Sequence, residues 1–339
     1  MTHFSGAGSM AGRVQELLRR HPFDCHRWLR NGHLQTIVGS RQRRRFDWGW
    51  STSRRESISI ADGTRIEATW VEVAPDAPTL VVVHGMAGST SSTYMLGLSH
   101  KAYRRGWNTL LPDLYDRSGA ARIFHAGSSR AVAEIISVFR STRRLGDVVV
   151  VGVSMGGNIV LKLAGEAGNS PPKWLRGIGV ISPLADLTFS GHLMNRKSNR
   201  IYRQYYVRRL KQLALNNLVP FHRSIDPERL RRVRSIREFD ETVTVPVAGF
   251  ADVREYYREA SARPVLPGIS VPTFAIHSRD DPFLPAEPLL DRTLAEHPFL
   301  NVAMTDRGGH VAFIEDRRVD LDRSWAENRL IDFLDLILG

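Results

Sequence analysis

The chain has 339 residues, 42% of them hydrophobic and 24% charged, with a formal net charge of +12 at pH 7. That is the composition of a globular protein large enough for one sizeable core with an insertion, or for two modest domains. Cys25 is the single cysteine, which excludes an internal disulfide and a cysteine-based metal site and leaves the thiol as a packing residue.

Residues 1–24 read as loosely ordered. "ESISIADGTRIEATWVEV" alternates apolar and polar residues around Asp62-Gly63 and predicts two strands joined as a hairpin. "TLVVVHG" is a buried strand ending in glycine, and "SSTYMLGLSHKAYRRG" an amphipathic helix stopped at Gly106. "WNTLLPDL" then predicts a strand and "SRAVAEIISVFRSTRRLG" a helix. Four valines at 148–151 make a strand covered on both faces, and residues 158–164 carry helical spacing. "GIGVISPL", "PTFAIHS" and "NVAMTD" follow as strands, and a helix over about Arg323–Leu338 closes the chain. Strands alternating with helices imply an α/β fold: a mainly parallel sheet covered by helices on both faces, with the hairpin as its antiparallel edge.

Between Pro183 and Pro272 the sequence is helical, basic and aromatic, with no buried strand. The expected organisation is therefore one domain over 25–339, with a helical cap inserted at about 184–270 above the carboxyl ends of the strands, where open α/β sheets bind ligands. Its basic stretches, "NRKSNRIYRQYYVRRLKQLALNN" and "PERLRRVRSIREF", match no nucleic-acid signature. They read as a solvated helix face and leave contact with an anionic membrane surface open. No stretch is apolar for the roughly 18 to 20 residues of a membrane span, and the N-terminus lacks the order of a secretory signal, so a cytoplasmic protein is expected.

The chemistry centres on Gly152-Val153-Ser154-Met155-Gly156, a sharp turn from buried strand to helix that leaves one serine at the bend. A serine hydroxyl needs a base, and the base an orienting acid. His310, in "TDRGGHVAF" after the last strand, is the candidate base, because Gly308 and Gly309 let a loop carry the imidazole over the elbow. "AIHSRDDPFLP" offers the acid, with Asp281 favoured, Asp280 as a capping residue and Asp186 a more distant alternative; His277, within a strand, reads as structural. The Met155 N–H and the Met86 N–H in "HGMAGS" are the candidate oxyanion-hole donors. Tyr202, Tyr205 and Tyr206 are candidates for lining an acyl pocket or for packing the cap. No metal, dinucleotide fingerprint or phosphate loop is indicated, so no cofactor is expected.

"NGHLQTI", "HGMAGSTSSTY", "GVSMGGNIVLKLAGE", "SIREFDETVTVPVAGFADVREYYREAS", "HSRDDPF" and "GGHVAFIE" occur in this order. From about Asp24 to its end the chain resembles the YheT-like α/β-hydrolases of bacteria, which are similar to the animal abhydrolase-domain 1/2/3 proteins. The resemblance implies a serine hydrolase of carboxylic esters, often acyl or lipid-like, with nucleophile Ser154, acid Asp281 and base His310. Where relatives often carry Arg-Gly, this chain has Arg117-Ser118, a departure in loop shape. Small-molecule esters are the expected substrates. Acyl transfer on the same intermediate and a catalytically silent binding module are the alternatives.

Overall fold

The computed structural model describes residues 9–42, 44, 46, 53–116, 123–220, 222–318 and 320–339; Arg117 and Ser118 lie outside the described residues. Its sheet begins with a hairpin of β1 (Ser53–Ser59) and β2 (Arg65–Val71), turned at Gly63, whose φ of 83° only glycine adopts without strain. β3 (Thr79–Val83), β4 (Asn108–Pro112), β5 (Val148–Val153), β6 (Leu175–Ile181), β7 (Thr273–Ser278) and β8 (Leu300–Thr305) complete eight strands in the order β1-β2-β4-β3-β5-β6-β7-β8. β1 and β2 pair antiparallel, as do β2 and β4, and every other neighbouring pair is parallel. The valine runs explain the centre: β3 and β5 are buried along their full length, so both faces of each must be apolar.

Helices cover the two faces. α1 (Met10–Arg20), α3 (Thr93–Arg104) and the last helix, α12 (Trp325–Leu338), pack Val14, Leu98 and Leu334 against Leu80, Val82, Val149 and Val151. On the other face α4 (Ser129–Thr142) and α5 (Met155–Ala167) pack Ile135 and Val160 against Val81, Val83, Val148 and Val150. Alternate residues of each strand thus serve opposite layers. Each such valine taken wholly out of water contributes on the order of 1.5–3 kcal/mol. α2 (Gly32–Arg41) lies against the loop that follows β8.

The expected loose order of residues 1–24 needs correcting within its described part. Met10–Arg20 form α1, capped by Ser9, whose side chain accepts the Gly12 N–H. Met10, Val14, Leu17 and Leu18 fall on one face at helical spacing, and that face docks beside α12.

Between β6 and β7 the chain leaves the sheet for α6 (Leu187–Met194), α7 (Arg200–Asn217), α8 (Pro227–Arg232), α9 (Ile236–Phe239), α10 (Val245–Ala248) and α11 (Val253–Ala260). Asp240–Thr244 is wound as a π-helix joining α9 to α10. This insertion has its own apolar cluster, with Val207, Leu230 and Val243 at its centre.

Candidate active site

Ser154 sits between β5 and α5 with φ 56° and ψ −118°, a strained backbone that surrounding contacts must hold. Its N–H donates to Ile181 O at 3.0 Å, and its carbonyl accepts from Leu184 N at 3.1 Å and Asn158 N at 3.2 Å. Glycine is required on both sides. A Cβ on Gly152 would lie 2.3 Å from Gly156 O, and one on Gly156 would lie 2.2 Å from Val83 O. The serine is therefore presented by a turn in which helix and strand backbones nearly touch.

The loop after β8 brings His310 across. Its Nε2 lies 3.0 Å from Ser154 Oγ and its Nδ1 2.7 Å from Asp281 Oδ2. The other Asp281 oxygen accepts the N–H groups of Phe283 at 3.0 Å and Leu284 at 2.9 Å. Burial pushes the Asp281 carboxyl up, but His310 beside it outweighs this and holds it below the usual carboxylate range. An ionised Asp281 fixes the imidazole with its proton on Nδ1, which leaves Nε2 free to accept from the serine hydroxyl. The Phe283 ring rests on the imidazole, centroids 4.3 Å apart.

The other acidic candidates serve elsewhere. Asp280 Oδ1 accepts the Gly309 N–H at 2.8 Å, tying down the backbone just before His310. Asp186 caps α6 through the N–H groups of Thr188 and Phe189 and pairs with Arg263 at 3.3 Å. His277 is buried in β7 with Nε2 3.3 Å from Leu284 O, and burial lowers its pKa. Cys25 is half-buried, its sulfur 3.2 Å from Gln35 Nε2.

Met86 and Met155 both line the cavity that opens at Ser154. Met155 is the first residue of α5, so its N–H has no intrahelical acceptor. The Met86 loop is shaped by groups that sequence reading did not single out. His84 is buried; Leu114 N donates to its Nε2 at 3.0 Å and its Nδ1–H donates to Gly85 O at 2.8 Å. Burial lowers its pKa, in keeping with that neutral tautomer. Tyr94 OH accepts the Gly85 N–H at 2.9 Å, and Ala87 takes a φ of 55°.

α2 is the larger omission, since "NGHLQTI" served only as a mark of resemblance. Thr36 Oγ1 accepts the His310 N–H at 2.8 Å and donates to Gly32 O at 2.7 Å. Gln35 clamps Ile314 at both backbone groups, at 2.9 and 3.2 Å. A Cβ on Gly32 would fall 2.0 Å from Asp280 O, so the helix start presses directly on the acid loop. The Asn31 side chain caps that start by accepting from His33 N and Leu34 N, which is the local signal for a helix here.

The cavity runs from Ser154 beneath the insertion. Leu210, Leu213 and Ala214 of α7 and Phe239 and Tyr257 beyond it form an apolar wall. Of Tyr202, Tyr205 and Tyr206, candidates for pocket lining or cap packing, Tyr206 alone is among the lining residues. Tyr205 is 59% exposed, and Tyr202 packs between His33 and Phe283. Successive residues of a helix point about 100° apart, so adjacent tyrosines cannot share one wall. Two carboxyl residues, Asp116 and Asp240, also line the cavity, and Asp240 accepts from Thr244 Oγ1 at 2.8 Å and Tyr257 OH at 3.1 Å.

Residues 80–321 match the model of the alpha/beta hydrolase family. The chain is 31% identical over 317 residues to YheT of Escherichia coli (strain K12), which carries an esterase name, covering 91% of each chain. It is 25% identical over 278 residues to phospholipase ABHD3 of Homo sapiens, covering 77% of this chain and 67% of that protein. Among solved structures, an esterase of Pyrococcus furiosus superposes with a TM-score of 0.59 at 15% identity, over 88% of this chain and 97% of the other.

Proposed function

The chain belongs to the alpha/beta hydrolase family, as a carboxylic ester hydrolase, and we propose that it cleaves acyl esters through an acyl-enzyme formed on Ser154. The observation that carries this reading is the unbroken hydrogen-bonded line Ser154 Oγ–His310 Nε2, His310 Nδ1–Asp281 Oδ2. In it, His310 takes the hydroxyl proton as Ser154 Oγ bonds to the acyl carbon. Asp281 keeps the ring in the required tautomer and stabilises the imidazolium. The negative charge that develops on the carbonyl oxygen is received by the Met86 and Met155 N–H groups, each such donor lowering the barrier by roughly 3 kcal/mol. His310 then protonates the departing alcohol, and a water activated by the same imidazole releases the acid.

An acyl chain is the substrate part that suits the cavity, because its wall is mostly apolar and begins at Ser154. The phospholipase name of one relative points the same way. Attraction of the basic outer surface to an anionic membrane belongs to the same reading. Labelling with a fluorophosphonate tests it: wild type is modified and Ser154→Ala is not. A folded wild type that resists the probe overturns the nucleophile and favours a binding module. A p-nitrophenyl ester series from acetate to palmitate, run with and without added alcohol, then reads chain-length preference and separates hydrolysis from acyl transfer.

A further inference from the structure

α7 is amphipathic in an unusual sense. Val207, Leu210 and Ala214 turn inward, while its outer face carries Ile201 and Tyr205, 78% and 59% exposed. These two are four residues apart and so lie one above the other. Arg208 and Arg209 continue the same exposed side, Arg200 is exposed at the first position of the helix, and none of the three holds an ion pair among the described residues. An isoleucine and a tyrosine thus stand exposed beside arginines that hold no ion pair among the described residues.

The patch extends onto the core domain. His33, near the start of α2, stacks on Tyr202 of α7 with centroids 5.7 Å apart, and its Nδ1 lies 3.3 Å from the tyrosine hydroxyl. Beside that joint α2 exposes Leu34 and Val38, at 48% and 39%, again four residues apart. Arg30 and Arg41, at the two ends of α2, are also exposed. Two helices from different parts of the chain thus present isolated apolar side chains set among arginines.

The surface is also one aromatic layer from the cavity. Tyr205 touches Tyr206, ring centroids 5.4 Å apart, and Tyr206 lines the cavity with Ser154. Tyr202 touches Phe283, which rests on His310. A flat apolar face without charge would suit another protein, but apolar tips ringed by arginine suit the headgroup boundary of a bilayer. There the aliphatic and aromatic tips enter the acyl region, and each guanidinium meets a phosphate.

We infer that the outer face of α7, with Leu34 and Val38 of α2, docks the protein onto an anionic lipid surface one aromatic layer from its cavity. This extends the proposed function by naming the face that meets the membrane, and it stands or falls separately from the role of Ser154. No helix among the described residues is long and apolar enough to cross a membrane, so the contact would be peripheral.

Co-sedimentation of the full chain with vesicles tests it. With phosphatidylcholine vesicles containing about 30% phosphatidylglycerol, wild type sediments; with phosphatidylcholine alone, binding falls at least ~10-fold. The triple variant Arg200→Glu/Arg208→Glu/Arg209→Glu and the double variant Ile201→Ser/Tyr205→Ser each lose about 5-fold or more of the binding to anionic vesicles. Raising salt to about 0.5 M weakens wild type but changes the triple variant little, since its charge attraction is already gone. Hydrolysis of a dissolved short-chain ester is the control: it stays unchanged in both variants, which shows them folded and leaves the Ser154 reading intact. Failure of wild type to sediment with anionic vesicles, or equal sedimentation of the variants, overturns the inference. So does a concentration-dependent dimer that both variants abolish while wild type ignores vesicles, because the face would then belong to a second copy.

Discussion

Thr36 accepts the backbone N–H of His310 at 2.8 Å across 274 positions of sequence, and the Thr36 hydroxyl proton goes to Gly32 O within the same helix turn. The hydroxyl therefore fixes the loop that carries the imidazole while its own orientation is fixed by α2. Removing a buried acceptor costs roughly 1–3 kcal/mol. Thr36→Val is expected to lower kcat by about 10- to 100-fold with KM nearly unchanged, because the His310 ring loses its placement and the cavity keeps its shape. Thr36→Ser restores most of the loss. Steady-state kinetics on one p-nitrophenyl ester distinguishes this from general destabilisation, which would lower the active fraction and leave the kcat per labelled serine intact.

The side chains of Ser154, His310 and Asp281 should behave as one unit. Ser154→Ala and His310→Ala are each expected to reduce kcat by on the order of 10^4-fold or more, and the double variant to be no worse than either. Asp281→Asn keeps the hydrogen-bonding shape but offers an N–H to His310 Nδ1, favouring the wrong tautomer, and is expected to cost roughly 10^4-fold. Additive losses in the double variant would contradict a shared step.

Glycines at the elbow are distinguished from other glycines by what stands next to them. Gly156→Ala places its Cβ 2.2 Å from Val83 O, backbone against backbone, so α5 must move away from β3. A loss of about 1–3 kcal/mol or more is expected, read as a lower melting temperature and poor recovery of soluble protein. Gly168→Ala is the contrast: open space surrounds it and only its backbone, φ 53° and ψ −136°, opposes a side chain, so about 1–3 kcal/mol of conformational strain is at stake with no displacement of neighbouring elements.

Asp240 links the cavity wall to pH. Burial pushes its carboxyl up to about 7, against the hydrogen bonds from Thr244 and Tyr257 that act to lower it. The folded protein thus holds this proton more tightly than the unfolded chain, whose carboxyl titrates near the ordinary value of 3.8. The resulting stability is fully present below about pH 4 and is lost as pH rises through about 7. Asp240→Asn should remove that slope. Relative to the variant, wild type is expected to lose up to a few kcal/mol between pH 4 and pH 8, measured by urea unfolding at each pH. Equal slopes would show that Asp240 ionises normally.

The parts of the fold and site legible in the sequence are those whose chemistry is written in one short stretch. The valine run before Gly152 announces a buried strand, Asp62-Gly63 a hairpin, and a histidine after paired glycines a loop able to cross the sheet edge. Helix α2 was hidden because its partners, Asp280, His310 and Ile314, lie far along the chain, and because it buries the polar Gln35 and Thr36 while exposing the apolar Leu34 and Val38. Helix α1 was hidden by the opposite fault: Met10, Val14, Leu17 and Leu18 do form a stripe, but arginines and an unstructured-looking start obscure it. For Tyr202, Tyr205 and Tyr206 the sequence leaves pocket lining and cap packing open, and the structure divides them: Tyr206 lines the cavity, Tyr202 packs against His33 and Phe283, and Tyr205 is exposed.

β6 and β7 are immediate neighbours, with Ile178–Ile181 set against Thr273–Ile276, although some ninety residues separate them in the chain. The scaffold closes over that excursion as though a short connection stood there, although the end of the excursion packs back on α5, where Asn158 Nδ2 donates to Ala260 O and Ala262 N donates to Asn158 Oδ1, both at 2.8 Å. A segment transplanted from a relative would have to keep those two Asn158 bonds, while Ser154, Asp281 and His310 all stand on elements outside it.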